Sequence, residues 1–172
     1  MIFVTVGTHE QPFNRLVKAV DDLKADGTIE VNETVFIQIG FSTYEPQHCE
    51  WAKLLSYEEI QRYMRDARIV VTHGGPSSLL VPLQMGKIPI VMPRRVEYGE
   101  HINNHQVDFV KAVANRFGNI IVVDEKSELA TAITNYRKSS AFSSDQKLLS
   151  NNQVFCRRLN NIAEKIVSER KR

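Results

Sequence analysis

Five short stretches, residues 2–6, 35–39, 69–72, 88–92 and 120–123, are almost continuously apolar and rich in Val and Ile. A strand with one face in water alternates apolar with polar residues, whereas an unbroken apolar run needs cover on both faces. Runs of this kind fit a parallel sheet held between two layers of helices, and the segments between them supply the helices. Phe13, Leu16, Val17, Val20 and Leu23 recur at helical spacing, with Pro12 suited to a first helical position and Gly27 beyond the end. Shorter helices are expected over 58–67, over 78–85 with Gly86 as a left-handed cap, over 104–114, and over 127–137 with Ser127 as N-cap. Strand–helix alternation of this kind predicts an α/β fold, a doubly wound, Rossmann-like parallel sheet.

The 172 residues make one domain by length, long enough to bury a proper core. The α/β domain is expected over 1–138, a serine-rich linker over 139–146, and an amphipathic helix with a basic tail over 147–172. Phe155, Leu159, Ile162 and Ile166 form that helix's apolar stripe, which either packs back on its own domain or reaches a partner. Arg157, Arg158, Lys165, Arg170, Lys171 and Arg172 make either a solvated face or a surface drawn to an anionic membrane or acidic partner. A net charge of +2 is too small to argue for nucleic acid. Cys49 and Cys156 lack CxxC spacing and read as reduced thiols of a cytoplasmic protein. The first residues carry no basic n-region, so no cleaved leader is expected, and no apolar run approaches the roughly 20 residues that cross a bilayer. Work at a membrane would require recruitment by something else.

In an open α/β sheet, ligands bind beyond the carboxyl ends of the strands, which directs attention to three loops. The first is Val6-Gly7-Thr8-His9-Glu10-Gln11-Pro12, where a glycine follows a strand and a helix then begins. The helix N-terminus offers free N–H groups to a phosphate, although the spacing is neither G-x-G-x-x-G nor a Walker loop. The second is Thr72-His73-Gly74-Gly75-Pro76-Ser77-Ser78, whose glycines allow close backbone approach and whose serines add hydroxyls and amides for a diphosphate. A tight turn with an ordinary serine cap is its plainer reading, and Pro82 is expected to kink the helix that follows. The third runs from Pro93-Arg94-Arg95 to residues 99–106, of which seven of eight are polar or glycine. Its amides, imidazoles and carboxylates suit a ligand with many hydroxyls, such as a sugar. A solvated loop is the plainer reading here, and a metal site on His101 and His105 lacks a further ligand at convincing spacing.

Taken together, these loops resemble glycosyltransferase family 28 in its C-terminal, donor-binding domain. The landmarks are Phe3-Val4-Thr5-Val6-Gly7-Thr8 with Pro12-Phe13, Thr72-His73-Gly74-Gly75-Pro76, Gly86-Lys87-Ile88-Pro89-Ile90-Val91 and Asn104-His105-Gln106, spanning roughly residues 2–125. Within the family the chain looks most like small, separately encoded catalytic subunits that pair with a membrane-anchored partner. Such subunits include the eukaryotic one that completes dolichol-linked chitobiose, and bacterial capsule and exopolysaccharide β-1,4-galactosyl- or glucuronosyltransferases. The resemblance implies the C-terminal half of a GT-B enzyme, inverting and metal-independent, with no cofactor and a UDP-sugar as donor. The partner would carry the membrane anchor and the acceptor site for a lipid-diphosphate-linked saccharide, holding this chain at the inner face of the membrane. No nucleic acid is implied, and an unpaired donor half could self-associate.

Carried over by position, Gly7, Thr8, Gly74, Gly75, Ser77 and Ser78 would face the diphosphate, and the backbone near Tyr57 the uracil. His105 and Gln106 would touch the donor sugar, with Glu100 and Asn104 beside them. His9 is a reserve candidate for the general base, which the partner is otherwise expected to supply. One departure stands out. Family members often place an acidic residue, a ligand for the ribose hydroxyls, where this chain has Val81. That keeps open a non-catalytic sugar-nucleotide-binding or partner-binding module. A small hydrolase using His9 or His73 lacks a recognisable Ser or Cys nucleophile. No motif specifies which hexose is transferred, and Arg94 and Arg95 fit a carboxylate-bearing sugar, a phosphate or a surface role equally well.

Overall fold

A computed structural model describes residues 1–136 and 157–162. Six strands form one sheet: β1 (Ile2–Thr5), β2 (Val35–Gln38), β3 (Glu50–Ala52), β4 (Ile69–Thr72), β5 (Ile90–Val91) and β6 (Ile121–Val122). Every pairing is parallel and the spatial order is β3-β2-β1-β4-β5-β6. Five helices connect them: α1 (Asn14–Ala25), α2 (Tyr57–Asp66), α3 (Pro76–Gln84), α4 (His105–Phe117) and α5 (Lys126–Thr134).

The pleat sorts each strand's residues between two apolar layers. Ile2, Val4, Ile37, Ile69, Val71 and Ile90 pack on one face with Leu16, Val20 and Leu23 of α1 and Leu129 and Ile133 of α5. Phe3 and Val70 point the other way onto Met64 of α2, while Val91 meets Leu79 and Leu83 of α3 and Val110 of α4. Strands β1 and β4 are buried at every position, as their unbroken apolar runs require. The doubly wound parallel sheet is therefore the fold of this chain.

Three local details differ from expectation. Strand β3 reads Glu-Trp-Ala, has no apolar run, and escapes a reading based on burial because it lies at the exposed sheet edge. The N-cap of α5 is Glu125 and not Ser127: the Glu125 and Glu128 carboxylates close a reciprocal capping box, which draws the helix start two residues earlier. Helix α3 starts at Pro76 and continues past Pro82 to Gln84, and Gly86 then takes a positive φ of 74°. The expected linker 139–146 lies outside the described residues, as do Cys156 and most of the C-terminal segment. Within that segment residues 157–162 are helical, and Leu159 and Ile162 are exposed. Cys49 is a free, partly buried thiol that burial and the neighbouring Asp21 push up to about 12. No helix among the described residues is long and apolar enough to cross a membrane.

Candidate functional site

The sheet order reverses between β1 and β4, whose neighbouring crossovers leave in opposite directions and part the loops at their carboxyl ends. A cleft of about 480 Å³ opens there. Gly7, Thr8 and His9 line it from the loop after β1, and His73, Gly75, Pro76, Ser77 and Ser78 from the turn after β4. Tyr57, Ile60, Gln61 and Met64 of α2 form a third wall, with Val81 of α3 and Gln106 of α4. A larger, shallower groove of about 590 Å³ lies between β6 and α5, lined mainly by Ile, Val, Thr and Ala. The cleft at the switch point is the better candidate, because convergent polar groups and free helix-end amides meet there.

The phosphate-type features concentrate at the start of α3. Gly75 is the N-cap and contributes no side chain, and Pro76 has no N–H. No side chain caps α3, so the Ser77 and Ser78 amides at the positive end of the helix dipole are available to an anion.

The glycines act differently from the sequence expectation. Their amides are already committed: Gly74 N–H donates to Gln106 Oε1 at 3.1 Å, Gly75 N–H to His73 Nδ1 at 3.0 Å, and Gly7 N–H to Thr5 Oγ1 at 3.2 Å. What they provide is space for protein side chains. A Cβ on Gly7 would lie 2.5 Å from His73 Nε2, and one on Gly75 only 2.2 Å from His73 Cε1. A Cβ on Gly74 would lie 2.8 Å from Val110 Cγ2. The His73 imidazole is thus sandwiched between two glycine backbones, and Gly74 sits behind the cleft against α4. His73 Nε2 lies 3.0 Å from Ser78 Oγ. Burial and the nearby Arg94 guanidinium lower its pKa to about 4, so the ring is neutral near pH 7.

The third loop departs further from expectation. Glu100 is buried, and its carboxylate accepts from Arg15 Nε and Nη2, both at 2.9 Å, and from the Arg95 amide at 3.0 Å. It anchors the loop to α1 and turns away from the cleft. Asn104 Oδ1 accepts the Val96 N–H, and its amide donates to Glu97. His105 is exposed at the start of α4, where its ring packs 6.5 Å from Phe109. Of the four residues expected at a sugar, only Gln106 reaches the cleft wall, and its Oε1 also accepts the Arg94 N–H at 3.2 Å.

Arg94 is fully buried and donates to the carbonyls of Gln11, Glu100 and Val6 at 2.7, 2.9 and 2.8 Å, with its guanidinium 4.8 Å from the Phe13 ring centroid. Arg95 pairs with Asp124 at 2.8 Å. Arg94 therefore ties the first loop to the third and is not available to a carboxylate-bearing ligand. Among the described residues, no group of three or more His, Cys, Asp or Glu is placed to hold a metal ion.

Sequence reasoning missed the cleft positions of Thr5, Gln38, Ile60, Gln61 and Met64. Gln38 had a usable signal, a polar side chain closing an otherwise apolar strand, and Arg15 had none, because its partners lie 78 to 109 residues away.

A doubly wound parallel sheet with a polar cleft at its switch point defines a Rossmann-like domain of the kind that forms the C-terminal half of GT-B proteins. The chain belongs to the glycosyltransferase family 28 C-terminal domain, the donor-binding module of that family, which it matches over residues 1–161. Among solved structures it is similar to the glycosyltransferase of kitacinnamycin, with 17% identity over 78% of this chain and 34% of that one, at a TM-score of 0.58. It is likewise similar to the calicheamicin glycosyltransferase CalG4, with 13% identity over 90% of this chain and 42% of that one, at a TM-score of 0.51. The chain thus spans 34% and 42% of the length of these structures, and the likeness is one of fold. No curated protein matches the sequence.

Proposed function

We propose that the cleft between β1 and β4 binds a UDP-sugar, and that this chain is the donor half of an inverting glycosyltransferase. One observation carries the reading. A single cleft gathers the first-loop residues Gly7 and Thr8, the free amide end of α3 at Ser77 and Ser78, and the exposed ring of Tyr57 at the opposite wall. That arrangement has an anion end and a flat side where a base could lie, as a nucleoside diphosphate requires. Helix-end amides would stabilise the leaving diphosphate, so that transfer would proceed without a metal ion.

The acceptor half would come from a membrane-anchored partner, with a lipid-diphosphate-linked saccharide as acceptor in capsule or exopolysaccharide assembly and a β-1,4-linked galactose as the leading product. Exposed Tyr98 and Ile102 within the third loop support a partner, because apolar side chains left in water favour association. The chain would then act at the cytoplasmic face of the membrane. Val81, apolar within the cleft wall, favours a second reading in which the domain binds a sugar nucleotide without turnover.

UDP release from UDP-galactose, measured with a lipid-linked acceptor in EDTA, tests both readings. Release only when the partner is added is the expected result. Binding without release in the complete complex would replace the first reading by the second, and release restored only by added divalent metal would overturn metal independence.

A further inference from the structure

Three histidines stand near the ligand end of the sheet, and all three make the same local bond. His9 Nδ1 accepts the Gln11 N–H at 3.2 Å, His73 Nδ1 the Gly75 N–H at 3.0 Å, and His101 Nδ1 the Asn103 N–H at 3.4 Å. A backbone N–H always carries its proton, so each Nδ1 must present a lone pair. In a neutral imidazole the single ring proton then resides on Nε2. The doubly protonated ring would set N–H against N–H and lose that bond.

The surroundings of His9 disfavour the charged ring as well. Burial lowers its pKa first, then the repulsion that a protonated His101, whose ring centroid lies 4.6 Å away, would add, and then Arg94. Glu10 pulls in the opposite direction, and the net shift is downward.

We infer that His9 serves the cleft as a fixed, neutral Nε2–H donor to an anionic oxygen of the bound nucleotide, and not as a proton acceptor. The inference rests on the nucleotide reading proposed above. A general base needs a lone pair facing the substrate. The His9 lone pair is turned to its own backbone, and the nitrogen left for the cleft already carries the proton. His73 repeats the arrangement one strand away. Its Nε2–H is directed to Ser78 Oγ, which leaves the Ser78 hydroxyl proton free to point elsewhere, toward the cleft that Ser78 lines. Neutral imidazole N–H groups and helix-end amides can then serve the diphosphate together.

Long-range proton–nitrogen spectra of the nitrogen-15-labelled chain near pH 7.5 read the tautomer directly. The His9 Nδ1 is expected at the unprotonated position and Nε2 at the protonated one, and the reverse pattern overturns the inference whether or not nucleotide binds. Calorimetry with UDP tests the role. His9→Leu removes the donor and is expected to weaken UDP about tenfold or more, whereas His9→Gln places an amide N–H near the same point and should recover all but about threefold. Equal weakening by both variants, or by neither, overturns the donor role. A lack of binding by the unaltered chain would instead refute the nucleotide reading itself, and the His9 role with it.

Discussion

The turn after β4 and the loop after β5 look alike in sequence, since both are polar, glycine-bearing and followed by a helix, yet they are built for different tasks. At the first, the start of α3 is left without a side-chain cap and the Ser77 and Ser78 groups face the cleft. At the second, Arg94, Glu100 and Asn104 direct their hydrogen bonds to groups of the protein itself. A polar residue is available to a ligand only when the fold has not already satisfied it. The β4–α3 turn is therefore left open to a ligand, and the β5–α4 loop is mainly a brace that presents Gln106.

The largest effect is expected at Arg94. Arg94→Met takes the donor from the buried Val6 and Glu100 carbonyls and the half-buried Gln11 carbonyl, and should cost about 3–5 kcal/mol of stability, measured by urea unfolding. A stable variant that has lost only ligand affinity would move Arg94 from brace to binding site.

The next largest effect belongs to pH. His73 stays neutral in the folded protein down to about 4, whereas the unfolded imidazole takes up a proton near its ordinary 6.5. Its contribution is complete above pH 6.5 and is lost as pH falls toward 4, at most about 3 kcal/mol in all. His9 acts in the same direction. Asp21 and Glu33 have pKa values held below the ordinary carboxylate range, chiefly by hydrogen bonds and ion pairs that outweigh burial, so their contributions fade only at lower pH. Urea midpoints that stay flat from pH 7 to 4 would contradict a His73 held neutral by the fold.

Gly75→Ala sharpens the role of the glycines. Its φ of −75° suits alanine, so any penalty comes from contact between the new Cβ and His73. A loss of about 1–3 kcal/mol is expected, together with weakened UDP binding, because the ring that orients Ser78 must move. Binding lost at unchanged stability would instead indicate direct approach of the ligand to the backbone at Gly75.

The smallest effects separate the neighbours at the head of α4. Gln106→Ala strands the Gly74 and Arg94 amides and should cost about 1–3 kcal/mol along with ligand affinity, whereas exposed His105→Ala should leave the unfolding midpoint unchanged. The family resemblance, which sets both residues at the donor sugar, predicts that both changes lower transfer. Retained transfer in His105→Ala would show that the donor sugar lies on the Gln106 side only.

The amino-acid sequence by itself determined the layered α/β architecture, because unbroken Val/Ile runs cannot be strands unless both faces are covered, and helical periodicity between them supplies that cover. It also pointed to the junctions after β1 and β4 that line the cleft, since strand–glycine–helix turns are local features. Strand β3 escaped it, because an edge strand has little burial to record in its residues. Tertiary structure alone decided which polar groups were free. Glu100 and Ser78 are equally polar as letters, but Arg15, 85 residues away, satisfies the first, while the second faces the cleft beside His73. Hydrogen-bond saturation is set by long-range partners, and so the stretch from His73 to Gln106 could be recognised in sequence but divided into surface and brace only in the fold.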